Sequence, residues 1–137
     1  MAETIRKVSY SYVMIPDKAG EGVRVLRALK DAGVNLLAVH AFPSARKSQM
    51  DLVAADAARL TAAAQSAKLK LSKPKTAFLI DGDDRVGALA DVLAKLAAAK
   101  LNVTAVTGVC AGLGRYGAIL WVKPADVGKA AAALGAM

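Results

Sequence analysis

Asp17-Lys18-Ala19-Gly20-Glu21-Gly22-Val23-Arg24-Val25-Leu26-Arg27-Ala28-Leu29, followed by Ala32-Gly33-Val34-Asn35-Leu36, is answered without a gap 67 positions further along the chain. Asp17-Lys18-Ala19-Gly20 falls on Asp84-Arg85-Val86-Gly87, Leu26 on Leu93, Leu29 on Leu96, Ala32 on Ala99, Asn35 on Asn102 and Ala38 on Ala105. A register held constant over this span marks a duplication. Each copy is too long for a solenoid repeat and about the size of one small α/β unit. The 137 residues therefore divide into two domains, 1–73 and 74–137, each small enough to gain core by packing on its twin.

Working outward from the repeat, Lys7 to Ile15 reads as a strand that ends at Pro16-Asp17. A helix follows from Gly22 to Ala32, with Val23, Leu26, Leu29 and Ala32 recurring at intervals of three, and Gly33 stops it. Asn35 to Phe42 is a second strand, Gln49 to Ala55 a third paired with it as a hairpin, Asp56 an N-cap to a second helix, and Lys68 to Ser72 a short fourth strand. The second copy repeats the order: strand Thr76 to Asp81, helix Val86 to Lys100, strand Leu101 to Cys110, a Gly112/Gly114 turn, strand Tyr116 to Val122 and helix Ala125 to Leu134. This order predicts an α+β fold, a ferredoxin-like βαββαβ sandwich duplicated in tandem, with the second copy lacking its last strand because the sequence stops at Met137. That edge, left open, is expected to be covered in a homodimer, by Lys68 to Ser72 of the mate or by joining two edges. Both faces of the second strand are apolar, Leu36, Ala38 and Phe42 against Leu37, Val39 and Ala41, so the side away from the helices is expected to meet the twin copy or another chain.

Hydrophobic residues make up 55% of the chain and charged residues 22%, a globular balance without a disordered arm. No apolar stretch approaches the roughly 20 residues needed to cross a bilayer, and Met1-Ala2-Glu3-Thr4-Ile5-Arg6 lacks a secretion-signal pattern, so a soluble cytoplasmic protein with no membrane partner is expected. Residues 1–75 carry 13 basic and 6 acidic groups, whereas 76–137 carry 6 and 5. The surplus could attract an anionic ligand or nucleic acid, although scattered lysines and arginines more often serve solubility.

The two repeated stretches, with Asp84-Arg85-Val86-Gly87 running through to Leu101-Asn102-Val103, resemble the ACT domain, a small regulatory module of amino-acid metabolism. The resemblance covers nearly the whole chain. It implies a non-catalytic protein that binds a small-molecule ligand, an amino acid, where the first loop and helix start of one copy meet the second strand of a neighbour. Carried over, the site residues are Asp17, Ala19, Gly20, Glu21, Gly22, Asn35 and Leu36 in the first copy, and Asp84, Val86, Gly87, Asn102 and Val103 in the second. Loops 17–22 and 84–87 are then expected near the opposite copy's Asn102 and Asn35. Unsatisfied amides at a helix start suit a carboxylate, a glycine there lets a ligand approach the backbone, and Asp17 or Asp84 could take an ammonium group. Alternatively the aspartates are helix caps and the glycines and asparagines turn formers. The chain departs from the family pattern in having Ala19 and Val86 where a proline often precedes the glycine, and Leu89 where the first copy has Gly22.

Enzymatic constellations are thin, and no catalytic residue, metal site or cofactor is assigned. His40 stands without a motif partner, and Cys110 has neither a second thiol nor metal-ligand spacing. Gly108-Val109-Cys110-Ala111-Gly112-Leu113-Gly114 lacks the Gly-Lys-Ser/Thr ending of a phosphate loop and lies between two strands, which favours a hairpin. Arg115-Tyr116-Gly117-Ala118 is an incomplete echo of an RNA-recognition signature. Two further readings therefore remain beside the ligand-binding one: an adaptor that pairs sheets with a partner protein, and a basic nucleic-acid binder.

Overall fold

The computed structural model describes residues 3–137; Met1 and Ala2, part of the stretch read for a secretion signal, lie outside the described residues. The chain forms β1 (Thr4–Pro16), α1 (Glu21–Asp31), β2 (Leu36–Ser44), β3 (Lys47–Ala54), α2 (Ala57–Ser66), β4 (Lys75–Asp83), α3 (Ala88–Ala98), β5 (Ala105–Cys110), β6 (Arg115–Trp121) and α4 (Val127–Leu134), the last entered through a 3-10 turn at Pro124–Asp126. This is the expected α+β, ferredoxin-like order in two copies. Two compact units result: Ser9–Lys75, and Thr76–Met137 together with the described residues that precede Ser9. The first few residues therefore leave the copy to which a division at 73/74 assigns them.

In the 9–75 unit the strands are hydrogen-bonded in the order β2-β3-β1. Both pairings are antiparallel, with Val13 opposite Met50 and Val39 opposite Leu52. Val13, Ile15, Met50 and Leu52 point to the helices and close a core with Val25, Leu29, Val34 and Leu60. The fully buried residues of α1 are Val25 and Leu29, four apart, with Leu26 partly buried against the same core; of the expected inner face Leu26 and Leu29 hold, while Val23 and Ala32 are exposed. Asp56 caps α2 as expected, its carboxylate accepting the Arg59 amide at 3.1 Å. The expected fourth strand reduces to a single bridge, Leu71 opposite Val13, beside a bond from the Ser72 amide to the Tyr12 carbonyl.

In the other unit the order is β1-β4-β6-β5. Phe78 and Ile80 of β4 and Tyr116, Ala118 and Leu120 of β6 share a core with Ala88, Val92 and Leu96 of α3, whose spacing of four makes one helical stripe. Ile5 is buried in the same cluster. No strand follows α4 among the described residues, but the edge of this sheet is not open. The start of β1 lies there, beside β4, and the end of the chain joins it: the Met137 amide donates to the Ile5 carbonyl at 3.0 Å and the Lys7 amide to the Met137 carbonyl at 3.2 Å. The expectation that a mate would cover this edge is thereby overturned, because the chain covers it with its own first residues.

Candidate functional site

Both repeated loops end on a glycine in left-handed conformation, Gly20 at φ 91° and Gly87 at φ 77°, and each glycine is the N-cap of the helix that follows. An L-residue there would cost roughly 1–2 kcal/mol, which accounts for the glycine in each copy. Neither helix start receives a side-chain cap, so the reading of Asp17 and Asp84 as caps does not hold. The first amide of each helix donates to a loop carbonyl, Glu21 to Lys18 at 3.3 Å and Ala88 to Arg85 at 3.2 Å, and no side chain caps the amides that follow, in a field that favours negative charge.

At the start of α3 this loop borders a cavity of about 350 Å³. Asp84, Arg85 and Gly87 to Ala90 supply one wall, Gly108, Val109 and Cys110 at the end of β5 another, and Tyr116 of β6 completes the lining. The two walls are tied together, since the Asp84 amide donates to the Gly114 carbonyl at 2.9 Å. That carbonyl sits at the tip of the β5–β6 hairpin, where Gly112, Leu113 and Gly114 all have positive φ. The glycine-rich run is thus the expected hairpin. Gly108 matters for shape: a Cβ there would lie 3.2 Å from Leu89 Cδ2, so leucine in the helix and glycine in the strand fit one another across the cavity.

The electrostatics separate the charged groups into engaged and available ones. Arg85 pairs with Asp91 at 2.7 Å, which raises its pKa. Arg115 holds Asp83 at 2.7 Å and Asp81 at 2.9 Å. Asp84 instead faces the Cys110 thiol; that hydrogen bond, then desolvation and the carboxylate's charge, push the thiol pKa up and keep it a thiol. Tyr116 donates to the Glu3 carboxylate at 2.6 Å, and burial first and this bond second raise its pKa. Both groups are protonated donors around neutral pH. Among the described residues no group of three or more His, Cys, Asp and Glu side chains gathers to hold a metal.

Of the expected residues of the second copy, Asp84 and Gly87 line the cavity, and Val86 between them projects fully into solvent. Asn102 and Val103 lie past the other end of α3, about 16 Å away along an 11-residue helix, and do not meet the loop within this unit. In the first copy Asp17 accepts the Ser48 hydroxyl at 3.1 Å, and Glu21 holds Arg24 at 3.1 Å. Ala19 and Gly20 are exposed, Gly22 lies beside Met50, Leu36 packs against the core, and the Asn35 carbonyl accepts the Ala55 amide. The sequence reading did not assign Arg85, Ala88 to Ala90, Gly108 to Cys110 or Tyr116 to the site, although the repeat contained Arg85, Leu89 stood out as a departure from it, the glycine pattern marked the stretch around Cys110, and Tyr116 lay in the incomplete RNA-recognition echo.

The fold is shared with solved structures. The chain is similar to a protein of Bacteroides thetaiotaomicron, with a TM-score of 0.81 and 17% identity over 96% of this chain and 88% of that one. It is similar to the regulatory subunit of aspartate kinase from Thermus thermophilus in its ligand-free form, with a TM-score of 0.62 and 15% identity over 98% and 93% of the two chains. A third similar structure is described as a C-terminal regulatory domain of aspartate kinase from Porphyromonas gingivalis, with a TM-score of 0.60 and 14% identity over 98% and 94%. At these identities the likeness is one of fold. No protein-family model matches the chain, and no curated protein does.

Proposed function

We propose that the protein is a non-catalytic regulatory module that binds an amino acid in the cavity at the start of α3. The observation that carries this reading is the position of Asp84, a carboxylate left to accept an incoming ammonium group, on a small cavity next to uncapped helix amides that suit a carboxylate. About 350 Å³ is at the small end of ligand cavities and suits one metabolite of amino-acid size better than a nucleotide. Regulatory subunits of aspartate kinase carry the same fold, and the ACT-like repeat points the same way. Thermal unfolding against the twenty amino acids tests it: a ligand at 100 times its dissociation constant stabilises by about 2.7 kcal/mol, which raises Tm by several degrees. If no amino acid shifts Tm at millimolar concentration, the reading fails.

The adaptor reading has its own support in β2, the outer strand of the 9–75 unit, on which Leu37, Val39 and Phe42 are exposed. No lysine, arginine or acid guards Leu36 to Phe42. We assign the expected homodimer to this edge, by antiparallel β2–β2 pairing about a two-fold axis. The nucleic-acid reading has least support, since Phe78, Tyr116 and Trp121 are buried, Tyr10 and Tyr12 are half-buried, and Phe42 alone of the aromatics is exposed.

A further inference from the structure

Resting on the amino-acid reading above, we propose that the chain takes one amino acid with an aliphatic side chain, in the cavity beside α3, and that the equivalent loop beside α1 takes none. The duplication lets the two loops be compared residue by residue. Ala88 stands where the first copy has Glu21, and Leu89 where it has Gly22.

Glu21 is the first residue of α1 and holds Arg24 at 3.1 Å. A carboxylate fixed at that helix start already occupies the favourable field and repels a second one. Asp17 is engaged as well, by the Ser48 hydroxyl. In the second copy the first residue of α3 is alanine, and its first-turn acid, Asp91, stands three residues further on, paired with Arg85 at 2.7 Å; among the described residues the Asp84 carboxylate faces a thiol, a weak donor that an ammonium group displaces at little cost.

The choice of side chain follows from the walls. Ala88, Leu89, Ala90 and Val109 line the cavity with methyl and methylene groups, and the close fit of Leu89 on Gly108 narrows it. A ligand lysine would find no acid in this lining beyond Asp84, which its α-ammonium group occupies. A ligand aspartate would have to draw Arg85 from Asp91. An aliphatic side chain leaves no charge unpaired.

Titration calorimetry of the full chain with leucine, valine, lysine and aspartate tests this. Leucine or valine is expected to bind at one per chain, about tenfold or more tighter than the charged pair. Asp84→Asn is expected to weaken that binding about tenfold and Asp17→Asn to leave it unchanged. Val109 is an exposed residue, so Val109→Asp leaves the fold intact; it is expected to move the preference from leucine toward lysine. Two ligands per chain, or equal losses from Asp17→Asn and Asp84→Asn, would overturn the single site. Lysine or aspartate binding more tightly than leucine and valine would overturn the aliphatic preference while the amino-acid reading stands. Silence from all four, in a protein that some other amino acid stabilises, also overturns this inference alone.

Discussion

The Tyr116 hydroxyl donates to the Glu3 carboxylate at 2.6 Å, across 113 positions of sequence, and so ties the start of β6 to the residue that leads into β1. This bond lies where the second copy would otherwise lack a strand. Ile5 is buried two residues further on, and the Met137 main chain joins the same segment. The residues that close the second sheet therefore come from the opposite terminus, and the stability of that unit depends on their staying docked.

Gly82 is the sensitive point in this arrangement. A Cβ at position 82 would lie 2.8 Å from Tyr116 Cε1 and 3.3 Å from Glu3 Cγ. A rigid aromatic ring cannot yield by that much without giving up its place in the core. Gly82→Ala is expected to destabilise by about 1–3 kcal/mol, and Tyr116→Phe, which loses only the hydroxyl, by about 1 kcal/mol. Urea denaturation of the two variants and the double variant checks this. The two costs should not add, because both act on one contact.

Alkaline pH should loosen the same region. The Tyr116 and Tyr10 pKa values are both raised above 10.0, chiefly by burial, so the folded state holds phenolic protons that the unfolded chain releases. Stability from these groups is fully present below pH 10.0 and falls as pH climbs through the raised values. Phenolate absorbance should show Tyr10 and Tyr116 ionising late, above the ordinary tyrosine range. Tyr116→Phe should shrink the alkaline loss of stability; an unchanged loss would place its origin elsewhere.

Much of this was legible in the sequence, because the features that mark elements are local. The glycines at 20 and 87 are needed for left-handed backbone, and Asp56 caps a helix from one residue outside it. What escaped is non-local. Thr4-Ile5-Arg6 offers a single apolar residue to periodicity, so nothing in it reveals that β1 begins there or which strand it joins. The cavity wall at Gly108, Val109 and Cys110 leads into a turn whose contact with Asp84 is a backbone bond, invisible to side-chain pattern. On α1, spacing by three put Val23 on the inner face with Leu26 and Leu29; packing against Val13 and Leu52 buries Val25 in its place and leaves Val23 exposed.

Cys110 reports on Asp84. The thiol is exposed, yet its pKa is raised by the adjacent carboxylate, so at pH 8 it should alkylate more slowly than an unperturbed thiol. Asp84→Asn removes both the charge and the anionic acceptor, and the rate should rise. A bound amino acid that occupies Asp84 should protect the thiol by covering it. Iodoacetamide kinetics with and without ligand, read by mass spectrometry, check both points, and equal rates in the variant would separate Asp84 from Cys110.

The β2 edge can be tested without touching the cavity. Val39 is 45% exposed and Leu37 40%, and both lie on a strand whose outer backbone groups have no neighbouring strand in the order β2-β3-β1. A second copy running antiparallel would pair those groups and bury the aliphatic side chains, a gain of roughly 25 cal/mol per Å² of apolar surface removed from water. Val39→Lys places a charge in the centre of that contact while the side chain stays in solvent in the monomer. The wild-type chain is therefore expected to scatter light as a dimer at micromolar concentration, and Val39→Lys as a monomer with amino-acid binding retained. A Val39→Lys variant that remains a dimer would remove β2 as the interface.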